Sequence, residues 1–290
     1  MRVVQLTDCH LSSDRSFALG GIPVWPRFLA VLKDIQARAE RVDLMVLTGD
    51  VAHDGLASTY EAVANCLEPW RGRLWVLPGN HDNVSHLCDV FPAESPRRDG
   101  ERVLFLRWGN WQLIGLDSVQ PGEDWGRLGD EQLQWLHNLL ERSPSNLAET
   151  PAHPHRLGSL GHAPTSAEPT GRAEAPSEQQ ASVAWTVLFM HHPPFSVRCS
   201  WLDSIGLADA SSLSKLVESH SGIRLIVAGH VHQEACTRIG SAIALTSPAV
   251  GPQFRPRAAT VTLESTPARY RVLELEPDGH WFTQVWECSL

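Results

Sequence analysis

Five short apolar segments of the sequence each end in side chains that can bind a metal ion. The segments and the polar residues that follow them are 3–6 with Asp8 and His10, 44–47 with Asp50, 74–77 with Asn80, His81 and Asp82, 186–190 with His191 and His192, and 225–228 with His230 and His232. Their donor atoms are carboxylate oxygens, imidazole nitrogens and an amide oxygen. That mixture suits iron, manganese, zinc or cobalt better than magnesium or calcium, which prefer oxygen ligands. The candidate ligands outnumber those of one tetrahedral ion, so they point to two ions that share a carboxylate.

Each of these motifs alone has a simpler interpretation. Asp8 could cap a turn, and the pair His230 and His232 could form a structural zinc site or a hydrogen-bonded pair. The occurrence of all five motifs in order, each after an apolar segment, favours one shared site. Asp117 and Ser118 also follow an apolar segment, and there we predict a structural turn. Five other histidines lack such a context, and we interpret them as ordinary surface or core residues: His53, His86, His137, His220 and His280.

The elements that must position these residues alternate along the chain. We predict strands at 3–6, 44–47, 74–77, 103–106, 111–116, 186–190 and 225–228, and helices at 26–39, 57–67, 130–142 and 210–219. The strands are apolar throughout, as expected for strands that are covered on both faces. The alternation predicts a layered α/β fold. Ligands gather at the carboxyl ends of strands in such folds, so the polar residues are expected to converge.

Two segments depart from this alternation. Residues 143–182 are rich in Pro, Ala, Ser and Glu, which indicates a flexible insertion. Its histidines at 153, 155 and 162 fit a solvated linker better than a metal-binding tract. Near the C-terminus, the Pro-Asp-Gly sequence at 277–279 predicts a turn between two antiparallel strands, which form a hairpin over 269–286.

The composition excludes several classes of function. The chain has 290 residues and a net charge of -9, which disfavours binding to nucleic acid or to anionic membranes. The sequence lacks an apolar run long enough to span a bilayer or to serve as a signal peptide, so we expect a cytoplasmic protein. The six cysteines show no CxxC spacing and are expected to be free thiols.

The ordered motifs resemble those of the calcineurin-like metallophosphoesterase superfamily. Residues 128–136, 191–203, 229–234 and 247–256 further resemble the bacterial class III 3′,5′-cyclic-AMP phosphodiesterases. The resemblance implies a four-layer α/β/β/α sandwich of two mixed sheets. We therefore expect one domain over 1–290 that carries the insertion and the C-terminal hairpin.

The resemblance also implies roles for the site residues. One metal ion would be held by Asp8, His10, Asp50 and His232, and the other by Asp50, Asn80, His191 and His230, with Asp50 as the bridge. His192 could compete with His191, which we favour because it directly follows the strand. The substrate phosphate is expected to contact His10, Asp50, Asn80, His81 and His232. Iron or manganese is expected at both positions, with zinc or cobalt as alternatives.

The implied reaction is hydrolysis of 3′,5′-cyclic AMP to 5′-AMP by a hydroxide that bridges the two metals. His81 would protonate the leaving oxygen, and Asp82 could either orient His81 or hold the turn. One alternative is another metallophosphoesterase that acts on phosphodiester or nucleotide diphosphate substrates; a remote alternative is a non-catalytic scaffold of the same fold. The expected partner is a small cyclic nucleotide, with no nucleic acid or membrane, and the protein is expected to be a monomer or homodimer.

Overall fold

A computed structural model describes residues 1–38, 41–96, 104–141 and 185–288, so the predicted insertion at 143–182 lies outside the described residues. The strands are β1 (Arg2–Leu6), β2 (Ala18–Leu19), β3 (Ile22–Pro23), β4 (Leu44–Thr48), β5 (Leu74–Leu77), β6 (Leu104–Trp108), β7 (Trp111–Gly115), β8 (Trp185–Phe189), β9 (Ile223–Ala228), β10 (Ala235–Ile239), β11 (Ala242–Thr246), β12 (Gln253–Phe254), β13 (Leu263–Glu264), β14 (Ala268–Leu275) and β15 (Trp281–Cys288). The α-helices are α1 (Val24–Arg38), α2 (Ala57–Leu67), α3 (Val84–Val90), α4 (Gly129–Glu141), α5 (Ser200–Asp203) and α6 (Ala210–Ser219).

Two large sheets carry the fold, and both are mixed. Sheet A has the strand order β15-β14-β1-β4-β5, and sheet B has the order β10-β11-β9-β8-β7-β6. In sheet A, β1, β4 and β5 are parallel, while β14 and β15 are antiparallel additions. In sheet B, β11, β9, β8 and β7 are parallel, and β10 and β6 close the two edges antiparallel. The strands that precede the predicted site residues are therefore the parallel ones.

The alternation of side chains along the strands builds three hydrophobic layers. In β1, Val4 packs with the helices α1 and α2, whereas Val3 packs between the two sheets. In β9, Ile226 packs with α4 and α6, whereas Val227 packs between the sheets. Because both faces of each sheet are covered, the strands are apolar on both sides, as the sequence predicts. The order of layers is helix, sheet, sheet, helix, which confirms the four-layer α/β/β/α sandwich.

Most predicted elements lie within two residues of their observed limits. At the place of the predicted hairpin over 269–286, β14 and β15 pair antiparallel and extend sheet A beyond β1. The sequence analysis does not predict the hairpin of β10 and β11. Its turn consists of Gly240 and Ser241, and Gly240 has a φ of 56°. A Gly-Ser pair between two strand-like segments is a hairpin signal that could have revealed it.

Two further properties of the described residues bear on the sequence expectations. All six cysteines are free, as predicted. Within the described ranges, every helix is too short or too polar to cross a bilayer.

Candidate dinuclear metal site

The carboxyl ends of five parallel strands meet along one edge of the sandwich. Sheet A contributes Asp8 after β1, Asp50 after β4 and Asn80 after β5. Sheet B contributes His191 after β8, and the segment that follows β9 contributes His230 and His232. The side chains from the two sheets lie within a few ångströms of one another, as the distances below show. The predicted convergence of the polar residues at one edge is present in the fold.

The backbone at this edge adopts an unusual conformation. Seven non-glycine residues of the described chain have a positive φ, and five of them are predicted metal ligands. These five are Asp8 (53°), His10 (47°), Asp50 (51°), His230 (71°) and His232 (47°). Left-handed conformations are uncommon outside glycine and cluster at functional sites. All five lie within four residues of the end of β1, β4 or β9.

Glycines allow the close approach of these turns. A Cβ atom at Gly79 would lie 2.2 Å from Oδ1 of Asp50, and one at Gly229 would lie 1.9 Å from Oγ1 of Thr7. A Cβ atom at Gly49 would lie 2.3 Å from Nδ1 of His191. These positions precede the polar residues of three different strands, so a side chain there would displace a residue of the site or its direct neighbour.

One group of candidate ligands comprises Asp8, His10, Asp50 and His232. The Nδ1 atom of His232 lies 2.6 Å from the carbonyl oxygen of Pro252, which can only accept a hydrogen bond. Nδ1 therefore carries the proton, and Nε2 presents a lone pair. That Nε2 lies 3.0 Å from Nε2 of His10 and 3.4 Å from Oδ1 of Asp8. Nε2 of His10 lies 3.5 Å from Oδ2 of Asp50.

The second group comprises Asp50, Asn80, His191 and His230. Nδ1 of His191 donates to the carbonyl oxygen of Thr48 over 2.8 Å, so its Nε2 also presents a lone pair. Nε2 of His191 lies 3.1 Å from Oδ1 of Asn80 and 3.5 Å from Oδ1 of Asp50. Nδ1 of His230 lies 3.1 Å from the same oxygen of Asn80. Asp50 thus directs one carboxylate oxygen toward each group.

These contacts fit two cations. In each group, a fixed imidazole lone pair faces oxygen atoms that also carry lone pairs, and such a contact is repulsive without a positive charge between the atoms. Nε2 of His230 and Nδ1 of His10 are buried and have no hydrogen-bond partner among the described residues. Carbonyl acceptors stand behind the imidazoles of His191 and His232, which is the arrangement typical of metal-binding histidines.

The electrostatics of the site agree with this fit. Burial alone would raise the pKa of the Asp8 carboxyl, but His232, His191 and His10 hold it below its ordinary value. Burial lowers the pKa of His230 to about 3, so this imidazole is neutral at physiological pH. Burial also acts to lower the pKa of His191, although the carboxylates of Asp50 and Asp8 raise it overall. The ionised carboxylate of Asp8 and the neutral imidazole of His230 are the forms that bind metal ions. The raised pKa of His191 reflects the negative charge of Asp50 and Asp8, which a bound cation would offset.

Comparison with known proteins decides the family. The family model described as calcineurin-like phosphoesterase matches residues 1–234. The chain belongs to the calcineurin-like phosphoesterase family. It is 29% identical to the 3′,5′-cyclic adenosine monophosphate phosphodiesterase CpdA of Escherichia coli, over 98% of this chain and 89% of that protein. It is 28% identical to a 3′,5′-cyclic-nucleotide phosphodiesterase of Nostoc, over 98% of this chain and 91% of that protein.

A solved structure supports the fold. The dimetal phosphatase from Danio rerio superposes with a TM-score of 0.58 at 14% identity, over 94% of this chain and 92% of that one. At this identity the likeness shows the fold alone. The calcineurin-like phosphoesterase family uses divalent metals, and the described residues include buried Asp and His groups that could bind them.

His192 is engaged elsewhere in the structure of this phosphoesterase. Its Nδ1 lies 2.9 Å from Oγ of Ser118, and its Nε2 lies 3.2 Å from the carbonyl oxygen of Asp124. Nε2 of His191 faces the side-chain oxygens of Asn80 and Asp50, whereas Nε2 of His192 faces a backbone carbonyl. The geometry therefore favours His191 over His192 as the ligand. Ser118 also accepts the backbone N–H of His192 over 3.1 Å. This contact agrees with the structural turn that the sequence predicts at 117–118.

His81 stands at the exposed side of the site in a column of aromatic rings. Its backbone N–H donates to Oδ1 of Asp50 over 2.9 Å. The His81 ring stacks on His53, with centroids 5.0 Å apart and planes at 23°, and His53 stacks on Phe17 at 4.9 Å and 24°. The His10 ring meets His81 edge-on at 4.8 Å. The ring of His53, which the sequence analysis treats as an ordinary histidine, therefore borders the site.

Asp82 lies in the same turn as His81 but has other partners. Its carboxylate accepts hydrogen bonds from the backbone N–H groups of Val51, Ala52 and Gly79, and from the hydroxyl of Tyr60. Burial and the nearby charge of Asp50 raise its pKa to about 6. Of the two roles that the sequence left open, this geometry favours holding the turn over orienting the His81 ring.

A cavity of about 210 Å³ adjoins His232. It is lined by Gln233, Phe254 and Thr266, among others. The Phe254 ring stacks on His232 with centroids 4.1 Å apart. Nε2 of Gln233 and Oγ1 of Thr266 are buried and have no hydrogen-bond partner in the part of the chain that the structure describes. An aromatic face and two unsatisfied polar groups thus lie next to a candidate metal ligand.

Proposed function

We propose that this protein hydrolyses 3′,5′-cyclic AMP to 5′-AMP at the edge where the two sheets meet. The observation that supports the proposal most directly is that the two groups of candidate ligands share Asp50, which directs one carboxylate oxygen toward each group. Two cations a few ångströms apart are the arrangement of many phosphoesterases. The relatives named as cyclic nucleotide phosphodiesterases, which match 98% of the chain, support the choice of substrate.

The proposed ligand assignment follows the two groups of candidate ligands. One ion would be held by Asp8, His10, Asp50 and His232. The other would be held by Asp50, Asn80, His191 and His230. When bound, two divalent cations lower the pKa of a water molecule and neutralise the negative charge of a phosphodiester. The mixed nitrogen and oxygen donors favour iron or manganese in our proposal, with zinc or cobalt as alternatives.

The chain itself contributes proton transfer and orientation. Formation of 5′-AMP requires that the bond between phosphorus and the 3′ oxygen of the ribose breaks, and this oxygen needs a proton as it leaves. A ring nitrogen of His81 can hold that proton, because the side chain is exposed beside the site. The hydrogen bond from His81 N–H to Asp50 fixes the backbone beneath it. We place the substrate phosphate among His10, Asp50, Asn80, His81 and His232.

The cavity beside His232 offers a place for the nucleoside. Stacking on an aromatic ring such as Phe254 suits a purine base, and the free donor of Gln233 suits a ring nitrogen of the base. We further propose a cytoplasmic location, where the free cysteines would stay reduced. A monomer or a homodimer remains our prediction for the oligomeric state.

A substrate panel tests the proposed function. The enzyme is loaded with manganese or iron, and kcat/KM is measured for 3′,5′-cyclic AMP, 2′,3′-cyclic AMP, bis-p-nitrophenyl phosphate and a nucleotide diphosphate sugar. We expect a clear preference for 3′,5′-cyclic AMP. The Asp50→Asn variant, purified in parallel, controls for contaminating phosphodiesterases.

The other outcomes separate the alternatives. High activity on general diesters with negligible turnover of cyclic AMP would keep the metal site and reject the substrate, which would favour another phosphoesterase of this family. Absence of both bound metal and diesterase activity would favour a non-catalytic scaffold.

A further inference from the structure

A second cluster of metal-binding side chains lies on the outer helical layer of sheet B. His137 and Glu141 are one turn apart on α4, and His220 directly follows α6. One ligand atom of each residue lies within 4.8 Å of the others. The cluster is remote from the site described above, because His220 precedes β9 whereas His230 follows it. That strand alone separates the two places by roughly 17 Å.

The hydrogen bonds of His220 define which nitrogen faces the cluster. Its Nδ1 lies 2.7 Å from the carbonyl oxygen of Leu216, an acceptor, so Nδ1 carries a proton. Its Nε2 lies 3.1 Å from Oε1 of Glu141. In the neutral imidazole, Nε2 is a bare lone pair that faces a carboxylate. This contact requires a positive charge, which is either a second proton on His220 or a cation between the two groups.

The third residue favours a cation. The His137 ring lies edge-on to His220, with centroids 5.4 Å apart and planes at 77°. A second proton on His220 would satisfy Glu141 alone, whereas an ion could also use the lone pair of His137. The side chain of His220 is buried at 4% exposure, and that of Glu141 is half exposed. The cluster thus combines one fixed ligand with two that can adjust, and it is open to solvent on the Glu141 side.

We propose that His137, Glu141 and His220 form a third metal site, which takes zinc or a similar borderline divalent ion with water as the fourth ligand. Two imidazoles and one carboxylate are a donor set that zinc accepts in tetrahedral geometry. The ion would join the C-terminal ends of α4 and α6 and so stabilise the outer helical layer. It would leave the reaction unchanged, since it lies at the opposite end of β9 from the phosphoesterase site.

The test uses the full-length enzyme with its phosphoesterase site already loaded with manganese. Zinc is added by equilibrium dialysis, and zinc and manganese are both counted by elemental analysis, so that zinc which merely replaces manganese is recognised. We expect the zinc bound per chain to exceed the manganese displaced per chain by one ion. The melting temperature should rise at the same time. In His137→Ala and in His220→Gln, zinc binding should be at least about tenfold weaker, with kcat for the diester substrate unchanged.

Two control variants make the result specific. His280→Ala alters another histidine–carboxylate pair, since Nδ1 of His280 lies 3.0 Å from Oδ2 of Asp278. A variant with alanine at 153, 155 and 162 removes the histidines of the predicted insertion. Both should keep the extra zinc. Equal zinc binding in His137→Ala and the wild type, loss of the extra zinc in the insertion variant, or no extra zinc in the wild type would each overturn the proposal. His137→Ala, in which the altered side chain is half-buried, serves as the test even if His220→Gln fails to fold.

Discussion

At the residue scale, His81 combines exposure with a backbone that is tied to Asp50. Replacement by alanine removes the ring but leaves the backbone hydrogen bond in place. We expect His81→Ala to retain both metal ions and to lose about 10²- to 10⁴-fold in kcat, which is the range for a general acid. Metal content by elemental analysis and kcat by product formation are measured on the same preparation. Near wild-type turnover in the metal-loaded variant would remove His81 from the reaction.

His53 gives a separate prediction, because it contacts His81 by stacking. We expect His53→Ala to lower kcat by disordering the His81 ring, and His53→Phe to restore most of it, since an aromatic ring would again fill the space between Phe17 and His81. Equal losses in the two variants would mean that a nitrogen of His53 is required. The KM for the substrate should change little in His53→Phe.

His53 and Asp82 also show which features of single residues could not be predicted from the sequence. The candidate ligands could be predicted because each follows an apolar strand closely, and the carboxyl ends of parallel strands share an edge. His53 follows its strand by five residues, so only the folded path of that loop reveals that its ring reaches His81. Asp82 stands beside His81 in sequence, yet its carboxylate faces the amides of a turn that comes from another strand.

At the element scale, the strand-end turns depend on the space that glycine leaves. We expect Gly79→Ala to reduce metal binding strongly, because its Cβ atom would lie 2.2 Å from Oδ1 of the shared ligand Asp50. Gly206→Ala is the matched control, since its Cβ atom would meet only a carbonyl oxygen at 3.6 Å. Both glycines have ordinary φ values, so the comparison isolates the steric effect. Full metal occupancy in Gly79→Ala would show that the turn can shift without loss of the site.

Elements with one continuous hydrophobic pattern were predictable, and short or composite elements were not. The strands β1, β4, β5, β7, β8 and β9 follow from their continuous apolar runs, and the helices α1, α2, α4 and α6 follow from helical periodicity. The seven-residue helix α3 is too short for its periodicity to stand out. The hairpin joins the half-exposed strand β10 to the largely buried strand β11. Its place beside β9 is set by packing against α6 and by parallel pairing with β9.

At the scale of the whole molecule, the candidate metal ligands come from both sheets. Asp8, Asp50 and Asn80 belong to sheet A, whereas His191, His230 and His232 belong to sheet B. Metal ions bound among them would hold the two sheets together. We therefore expect removal of metal by a chelator to destabilise the protein by about 4 kcal/mol when the free metal had been at 1,000 times its Kd.

The measurement is thermal unfolding with and without chelator, followed by re-addition of manganese. His191→Ala, in which a buried ligand from sheet B is lost, should show a much smaller chelator effect than the wild type. An unchanged melting temperature after verified loss of metal would contradict the view that the ions bridge the sheets.

The left-handed turns at the site have a consequence for any effort to improve the protein. A non-glycine residue in this conformation costs roughly 1–2 kcal/mol, and the five candidate ligands that adopt it include Asp8 and Asp50. Glycine would relieve the cost at each position. A directed-evolution screen that scores only the heat resistance of the metal-free protein would therefore reward replacement of the candidate metal ligands themselves. Such a screen needs a simultaneous selection for turnover, or it will enrich robust but inert variants.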